Sequence, residues 1–218
     1  MKVIAHIQTD FKDKFGIPRQ SGRVPSLSGR IVFEEEFRNP DALRGIEGFS
    51  HLWLLFDFSK SHRDGWSPTV RPPRLGGNTR IGVFATRSPF RPNPIGLSVV
   101  KLERVEKGEL VVSGVDLLDG TPLYDIKPYL PFADAIPDAV GGYAADFEDY
   151  RLQVEFPKHL LERLPQDKRQ TVIDCLAQDP RPAYQEDERT YCMAFAAYDI
   201  RFYVKDNILF VTAIEERE

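Results

Sequence analysis

Ile95-Gly96-Leu97-Ser98-Val99-Val100-Lys101-Leu102-Glu103-Arg104-Val105 runs through Glu106-Lys107-Gly108 into Glu109-Leu110-Val111-Val112-Ser113-Gly114-Val115. Two apolar runs rich in β-branched residues flank a short polar break, and Gly108 can supply the positive φ that a tight antiparallel connection needs. The pattern predicts a β-hairpin. Working outward, Val3 to Ile7, Gly29 to Phe33, His51 to Phe58 and Arg80 to Ala85 share the same texture and are separated by Gly, Pro and Asn clusters. Short strands joined by turn-rich loops close most naturally into an antiparallel barrel.

Between the second and third of these runs, Asn39-Pro40-Asp41-Ala42-Leu43-Arg44-Gly45 sets a capping side chain before a proline and a glycine after the end. One or two helical turns are expected there. Beyond Phe132 the texture changes: Asp134 to Asp149 is acidic, small and poor in aliphatics, as a linker would be. Helical spacing follows over Pro157 to Leu164 and Asp167 to Ala177, with Val172, Ile173 and Leu176 as the inward stripe of the second. Tyr198, Ile200, Phe202 and Val204 alternate with Asp199, Arg201, Tyr203 and Lys205, and Asp206-Asn207 turns the chain into Ile208 to Ile214. That is a hairpin with one buried face. The expected class is mainly β, α+β overall: a small antiparallel β-barrel over residues 1–138 and a smaller α+β unit, helix plus hairpin, over 139–218.

A chain of 218 residues with 42% apolar content can bury a sizeable core. No apolar run approaches the length that spans a bilayer, and Met1 to Phe15 lacks the zones of a secretion signal, so a cytoplasmic protein is expected. Cys175 and Cys192 lack the paired spacing of a zinc or redox site and are expected to be buried free thiols. His6, His51, His62 and His159 never stand at ligand spacing, and no metal is expected. The formal charge is −4, yet between Lys60 and Arg91 seven basic residues meet one acid, Asp64. Such a stretch can form a basic face, and arginine suits phosphate and base edges better than lysine does.

Three connections carry the polar chemistry. In Ala85 to Gly96, the prolines at 89, 92 and 94 stiffen a loop that holds Arg87, Arg91 and Asn93 without the entropy cost of ordering a flexible segment. It reads as a preformed anion or nucleobase site. Asp116 to Tyr129 places Asp116, Asp119 and Asp125 around what reads as one turn, a set compatible with acid–base work, with metal-dependent hydrolysis or with a plain Asp119-Gly120 turn. Gly16 to Gly22 offers a glycine-bounded turn with exposed amides and the Gln20 side chain.

Taken together, Phe15 to Arg19, Gly45 to Trp53, Thr69 to Asn78, Gly82 to Gly96, Asp116 to Pro122 and Asp125 to Phe132 resemble the TsaA-like family of tRNA adenine methyltransferases, also called TrmO. Ala177 to Tyr184 extends the likeness into the second unit. The resemblance implies a homodimeric β-barrel enzyme that uses S-adenosylmethionine to methylate the exocyclic nitrogen of threonylcarbamoyladenosine, next to the anticodon of threonine tRNA. It implies cofactor contacts at Gln20, Ser21, Gly22, Phe58, Ser59, Arg87, Leu97, Asp116, Leu117, Leu118 and Asp119. Consistent with it, the chain lacks the glycine-rich strand-to-helix fingerprint of doubly wound methyltransferases, so the cofactor site must be built differently.

Methyl transfer from a sulfonium is an in-line displacement with an activated leaving group, so alignment matters more than a nucleophile. The acceptor nitrogen is poor, and charge developing on its carbamoyl group calls for cationic donors such as Arg87, Arg91 or Lys127. Asp119, Asp125 or Tyr129 are the candidate proton acceptors, while Asp116 and Asp119 are alternatively ligands of the cofactor's hydroxyls or ammonium. Arg71, Arg74 and Arg91 on the basic stretch, with Arg181 and Tyr184 in the second unit, are the candidate RNA contacts. Two rival readings stand beside this one: a non-catalytic module that binds S-adenosylmethionine or tRNA, and a metal-dependent phosphohydrolase built on Asp116, Asp119 and Asp125.

Overall fold

In a computed structural model, residues 1–75, 77–181 and 189–217 are described, and the Arg74 side chain lies outside that description. Six strands form a closed antiparallel barrel in the order β1-β2-β7-β6-β3-β8. They are β1 (Ala5–Thr9), β2 (Ser28–Phe33) and β3 (His51–Asp57), then, past the small ladder of β4 (Thr69–Val70) and β5 (Ile81–Gly82), β6 (Ile95–Glu106), β7 (Glu109–Ser113) and β8 (Thr121–Pro128). β1 closes the ring by pairing with both β2 and β8.

Alternation decides which faces point inward. Along β3, Leu52, Leu54 and Phe56 are buried while Trp53, Leu55 and Asp57 face outward. Along β6, Gly96, Ser98, Val100 and Leu102 face in, and Leu97 faces out. Gly96 is opposite Phe56, and a β-carbon there would lie 2.1 Å from the phenyl ring, so glycine is what lets that ring fill the barrel's end. The β6–β7 connection turns on two positive-φ residues, Lys107 as well as Gly108.

Two expectations about strands need correction. Arg80 to Ala85 is not a barrel strand: β5 keeps only two residues, and Val83–Ala85 winds into a 3₁₀ turn that buries Val83. The sixth strand is instead β8, read above as part of a carboxylate turn; only Asp116 to Gly120 belongs to that turn. Asn39 caps a 3₁₀ turn over Pro40–Leu43 as expected, accepting from the Asp41 amide at 3.0 Å, and Gly45 adopts the left-handed conformation.

After β8 comes a single turn, α1 (Pro131–Asp134), and then a 3₁₀ segment, Gly142–Phe147, within the stretch read as a linker. The second unit comprises β9 (Gln153–Glu155), α2 (Lys158–Leu161), α3 (Arg169–Ala177), β10 (Tyr191–Phe195), β11 (Tyr198–Lys205) and β12 (Ile208–Glu216). Its sheet runs β10-β11-β12-β9, with β9 parallel to β12, so the expected hairpin forms the centre of a larger sheet. Asp206 and Asn207 both take positive φ in its turn. On α3, Val172 and Leu176 face inward with Cys175, while Ile173 is only half-buried. Cys175 is a buried free thiol as expected; Cys192 is exposed, because it occupies the outward register of β10.

The two units share one apolar core. The Phe11 ring meets Phe195 edge-on at 5.3 Å, and the Asp10 carbonyl accepts from the Ala196 amide at 2.7 Å. Gly16, at φ +98°, brings its backbone so close to Met193 that a β-carbon would stand 2.5 Å from its sulfur. Lys168 pairs with Asp10, and Thr171 donates to Ser26 at 2.9 Å. No described helix is long and apolar enough to cross a membrane.

Candidate active site

A cleft of about 1970 Å³ opens at one end of the barrel. Drug-sized ligand sites occupy roughly 300–1,000 Å³, so this one has room for a nucleoside cofactor and part of a second substrate. Its walls come from the connections singled out in the sequence: Gln20 from the first loop, Phe58 and Ser59 after β3, Arg87 and Arg91 before β6, and Asp116, Leu117 and Leu118 after β7. Leu97 lines it from the outward face of β6 and is 54% exposed.

These connections are also bonded to one another. The Arg87 guanidinium donates to the Gln20 side chain, which joins the first and third loops. The Gly22 amide donates to the Gly114 carbonyl at 2.8 Å, and Gly22 takes φ +75°, so the turn lies flat against the end of β7. Asp116 accepts from the Ser98 hydroxyl at 2.7 Å and from the Ser21 amide. Burial raises the Asp116 carboxyl to about 6, against the lowering influence of Ser98, of two backbone amides and of the Arg87 charge. A carboxylate held there with no ion pair among the described residues is suited to a ligand that brings ammonium or hydroxyl donors. The loop after β3 is fixed from below: the Lys14 ammonium reaches the Lys60 carbonyl and the Ser61 hydroxyl, the latter at 3.1 Å.

Other expected site residues lie elsewhere. Asp119 does not face the cleft: its carboxylate accepts from the Thr9 amide at 2.9 Å and pairs with Lys12, stapling the turn to β1. Asp125 and Lys127 form a 3.0 Å ion pair on the outer face of β8, and Tyr129 sits at its end with its ring 5.7 Å from Trp53. None of the three lines the cleft; Asp125 and Lys127 lie outward on β8, which is a strand and not a turn, and Tyr129 follows it. The three carboxylates of the metal-hydrolase reading thus diverge, and among the described residues no group of three His, Cys, Asp or Glu side chains could hold a metal.

Among the RNA candidates, Arg71 lines the cleft. Arg91 does too, and one of its guanidinium nitrogens, Nη1, donates to the Val83 and Thr86 carbonyls at 3.2 and 2.7 Å, which holds its own loop. Arg181 is mostly buried in a forked pair with Asp179, at 2.9 and 3.0 Å, and its carbonyl accepts from Arg19. It joins the units and presents no free fork to a phosphate. Tyr184 and the Arg74 side chain lie outside the described residues.

Sequence reasoning missed three contributors. Tyr143, Phe147 and Glu148, from the acidic stretch taken for a linker, form one wall, with Arg23 donating to the Glu148 carbonyl. Ser98 looked like an ordinary strand residue, although a polar side chain at an inward position was the available signal. Asp57 and His62 line the cleft as a hydrogen-bonded pair, 2.8 Å apart; Asp57 at the end of an apolar strand was the signal there.

Family models identify residues 6–135 as a tRNA-methyltransferase O N-terminal domain and residues 149–217 as a TrmO C-terminal domain. The chain belongs to the tRNA-methyltransferase O family. It is 45% identical to a tRNA (adenine(37)-N6)-methyltransferase of Escherichia coli (strain K12) over 98% of this chain and 97% of that one. A human protein of the same name is 44% identical over 66% of this chain and 33% of its own length. A crystal structure of TrmO from Pseudomonas aeruginosa superposes with a TM-score of 0.80 at 38% identity, covering 98% of this chain and 96% of that one. The TrmO barrel and its second unit are thus both present here.

Proposed function

We propose that this TrmO-family chain seats S-adenosylmethionine in the cleft and methylates N6 of threonylcarbamoyladenosine beside the anticodon of threonine tRNA. Family membership makes it an S-adenosylmethionine-dependent tRNA adenine-N6 methyltransferase; the nucleoside, the tRNA and the residue roles are our reading. One observation carries it: loops far apart in sequence converge on a single cleft and are bonded through Arg87–Gln20 and Ser98–Asp116–Ser21.

In this reading Gln20, Ser21, Gly22, Phe58, Ser59, Leu97 and the Asp116 to Leu118 turn hold the methyl donor, which supplies an activated methyl group. Arg87, at the junction of two loops, steadies charge that builds on the carbamoyl oxygen. RNA meets the mouth of the cleft, where Trp66 and Phe84 are 55% and 73% exposed and Arg63 lies over the Phe90 ring at 3.6 Å. Exposed rings interleaved with guanidinium groups suit the unstacked bases of a tRNA loop.

We also propose that the chain pairs with a second copy through the outer face of β3, β6 and β8, where Ile95 and Leu97 are exposed. Asp125, Lys127 and Tyr129 share that face, so pairing would set them beside the second copy. Light scattering at assay concentrations should return twice the 24.9 kDa chain mass. The functional reading is tested by mixing purified protein, labelled S-adenosylmethionine and threonine tRNA with or without the threonylcarbamoyl group. Label entering only the carbamoylated tRNA is the expected result; binding of both ligands without transfer would favour a non-catalytic module.

A further inference from the structure

Asp57 ends β3, and His62 lies on the loop that follows. His62 Nε2 stands 2.8 and 3.0 Å from the two Asp57 carboxylate oxygens. The Asp57 side chain is 14% exposed and also faces the Tyr124 hydroxyl from β8, whereas the imidazole is 56% exposed and lines the cleft. The turn between them is fixed: the Phe58 amide donates to Pro94 at 2.8 Å and the Ser61 amide to Phe58 at 2.7 Å. An ionised carboxylate only accepts, so Nε2 carries the hydrogen. Among the described residues the ring's hydrogen bonds run through Nε2, which leaves the Nδ1 lone pair available in the neutral ring.

The reaction needs such a group. As the methyl carbon passes from sulfur to N6, the S–C electron pair stays on sulfur. N6 then carries one hydrogen too many, and its N–H pair must return to nitrogen as the proton leaves. Of the other acids that line the cleft, Asp116 is occupied by Ser98 and the Ser21 amide, while Asp64 and Glu148 are exposed and, among the described residues, are not paired with an imidazole as Asp57 is. We infer that His62 is the catalytic base that takes the N6 proton on Nδ1, with Asp57 as the positioning residue that orients the ring and stabilises the imidazolium. The half-exposed ring then releases the proton to water. This assignment rests on the functional reading above.

The test compares single-turnover methylation by wild type, His62→Ala and Asp57→Asn on threonylcarbamoylated threonine tRNA, with calorimetric titration of S-adenosylmethionine and tRNA into each. His62→Ala should slow transfer by roughly 10²–10⁴-fold while both affinities stay within about twofold of wild type. Added imidazole should restore part of the rate to His62→Ala and none to Asp57→Asn, whose slower transfer should likewise leave both affinities in place. Full activity of His62→Ala overturns the assignment. So does a loss that follows cofactor affinity downward and ignores imidazole, since a merely structural role predicts that result. Wild-type protein that transfers no methyl group to this tRNA overturns the functional reading, and this assignment with it.

Discussion

Two carboxylates three residues apart, Asp116 and Asp119, illustrate how far residue type alone carries the argument. Both stand in one turn after β7, yet one points into the cleft and the other staples β1. Asp116→Asn should therefore weaken S-adenosylmethionine binding about 10–100-fold, whereas Asp119→Asn should lower the melting temperature and leave affinity nearly unchanged. The raised Asp116 pKa adds a sign. In the free protein it favours the protonated form, so its contribution to stability is present at low pH and lost as pH rises through about 6. Cofactor binding runs the other way if the carboxylate is the ligand: affinity should fall by up to about tenfold per pH unit below pH 6, and Asp116→Asn should flatten that profile in calorimetry. The sequence made these aspartates visible as candidates, but their division of labour depends on Ser98 and Thr9, which reach the turn from other strands.

Among the strands, alternation was readable wherever one face is largely apolar, as along β3, β6 and β11. β8 escaped notice because Pro122, Asp125, Lys127 and Pro128 break the apolar run, and its ladder survives because these residues sit outward or near its ends. Arg80 to Ala85 misled for the opposite reason: its apolar residues turn in one 3₁₀ coil to bury Val83 instead of pairing. β9 has three residues and too short a pattern to read without the parallel β12 that holds it. The Gly96–Phe56 contact sets an expectation at this scale. Gly96→Ala should cost about 1–3 kcal/mol by forcing the Phe56 ring aside, and the disturbance should reach the cleft through Phe58, whose ring lies 5.1 Å from that of Phe56. Chemical denaturation checks the stability, and Gly96→Ala/Phe56→Leu should recover part of it.

Over the whole molecule, Phe11 and Phe195 belong to different units yet pack in one buried cluster. Phe195→Ala should destabilise the protein by about 3–5 kcal/mol, and barrel and second unit should still melt in one transition by near-ultraviolet and far-ultraviolet probes alike. Two separated transitions would contradict a shared core. Assembly during synthesis follows from the parallel β9–β12 pair. All six barrel strands are synthesised by the time Pro128 is added, so the ring can close while the second unit is still being translated. β9 follows but has no edge to join until β12 arrives, and until β10 brings Met193 and Phe195 the Gly16 backbone and the Phe11 ring stay bare on the nascent barrel. That interval is the point in the protein's life when a chaperone has most to cover.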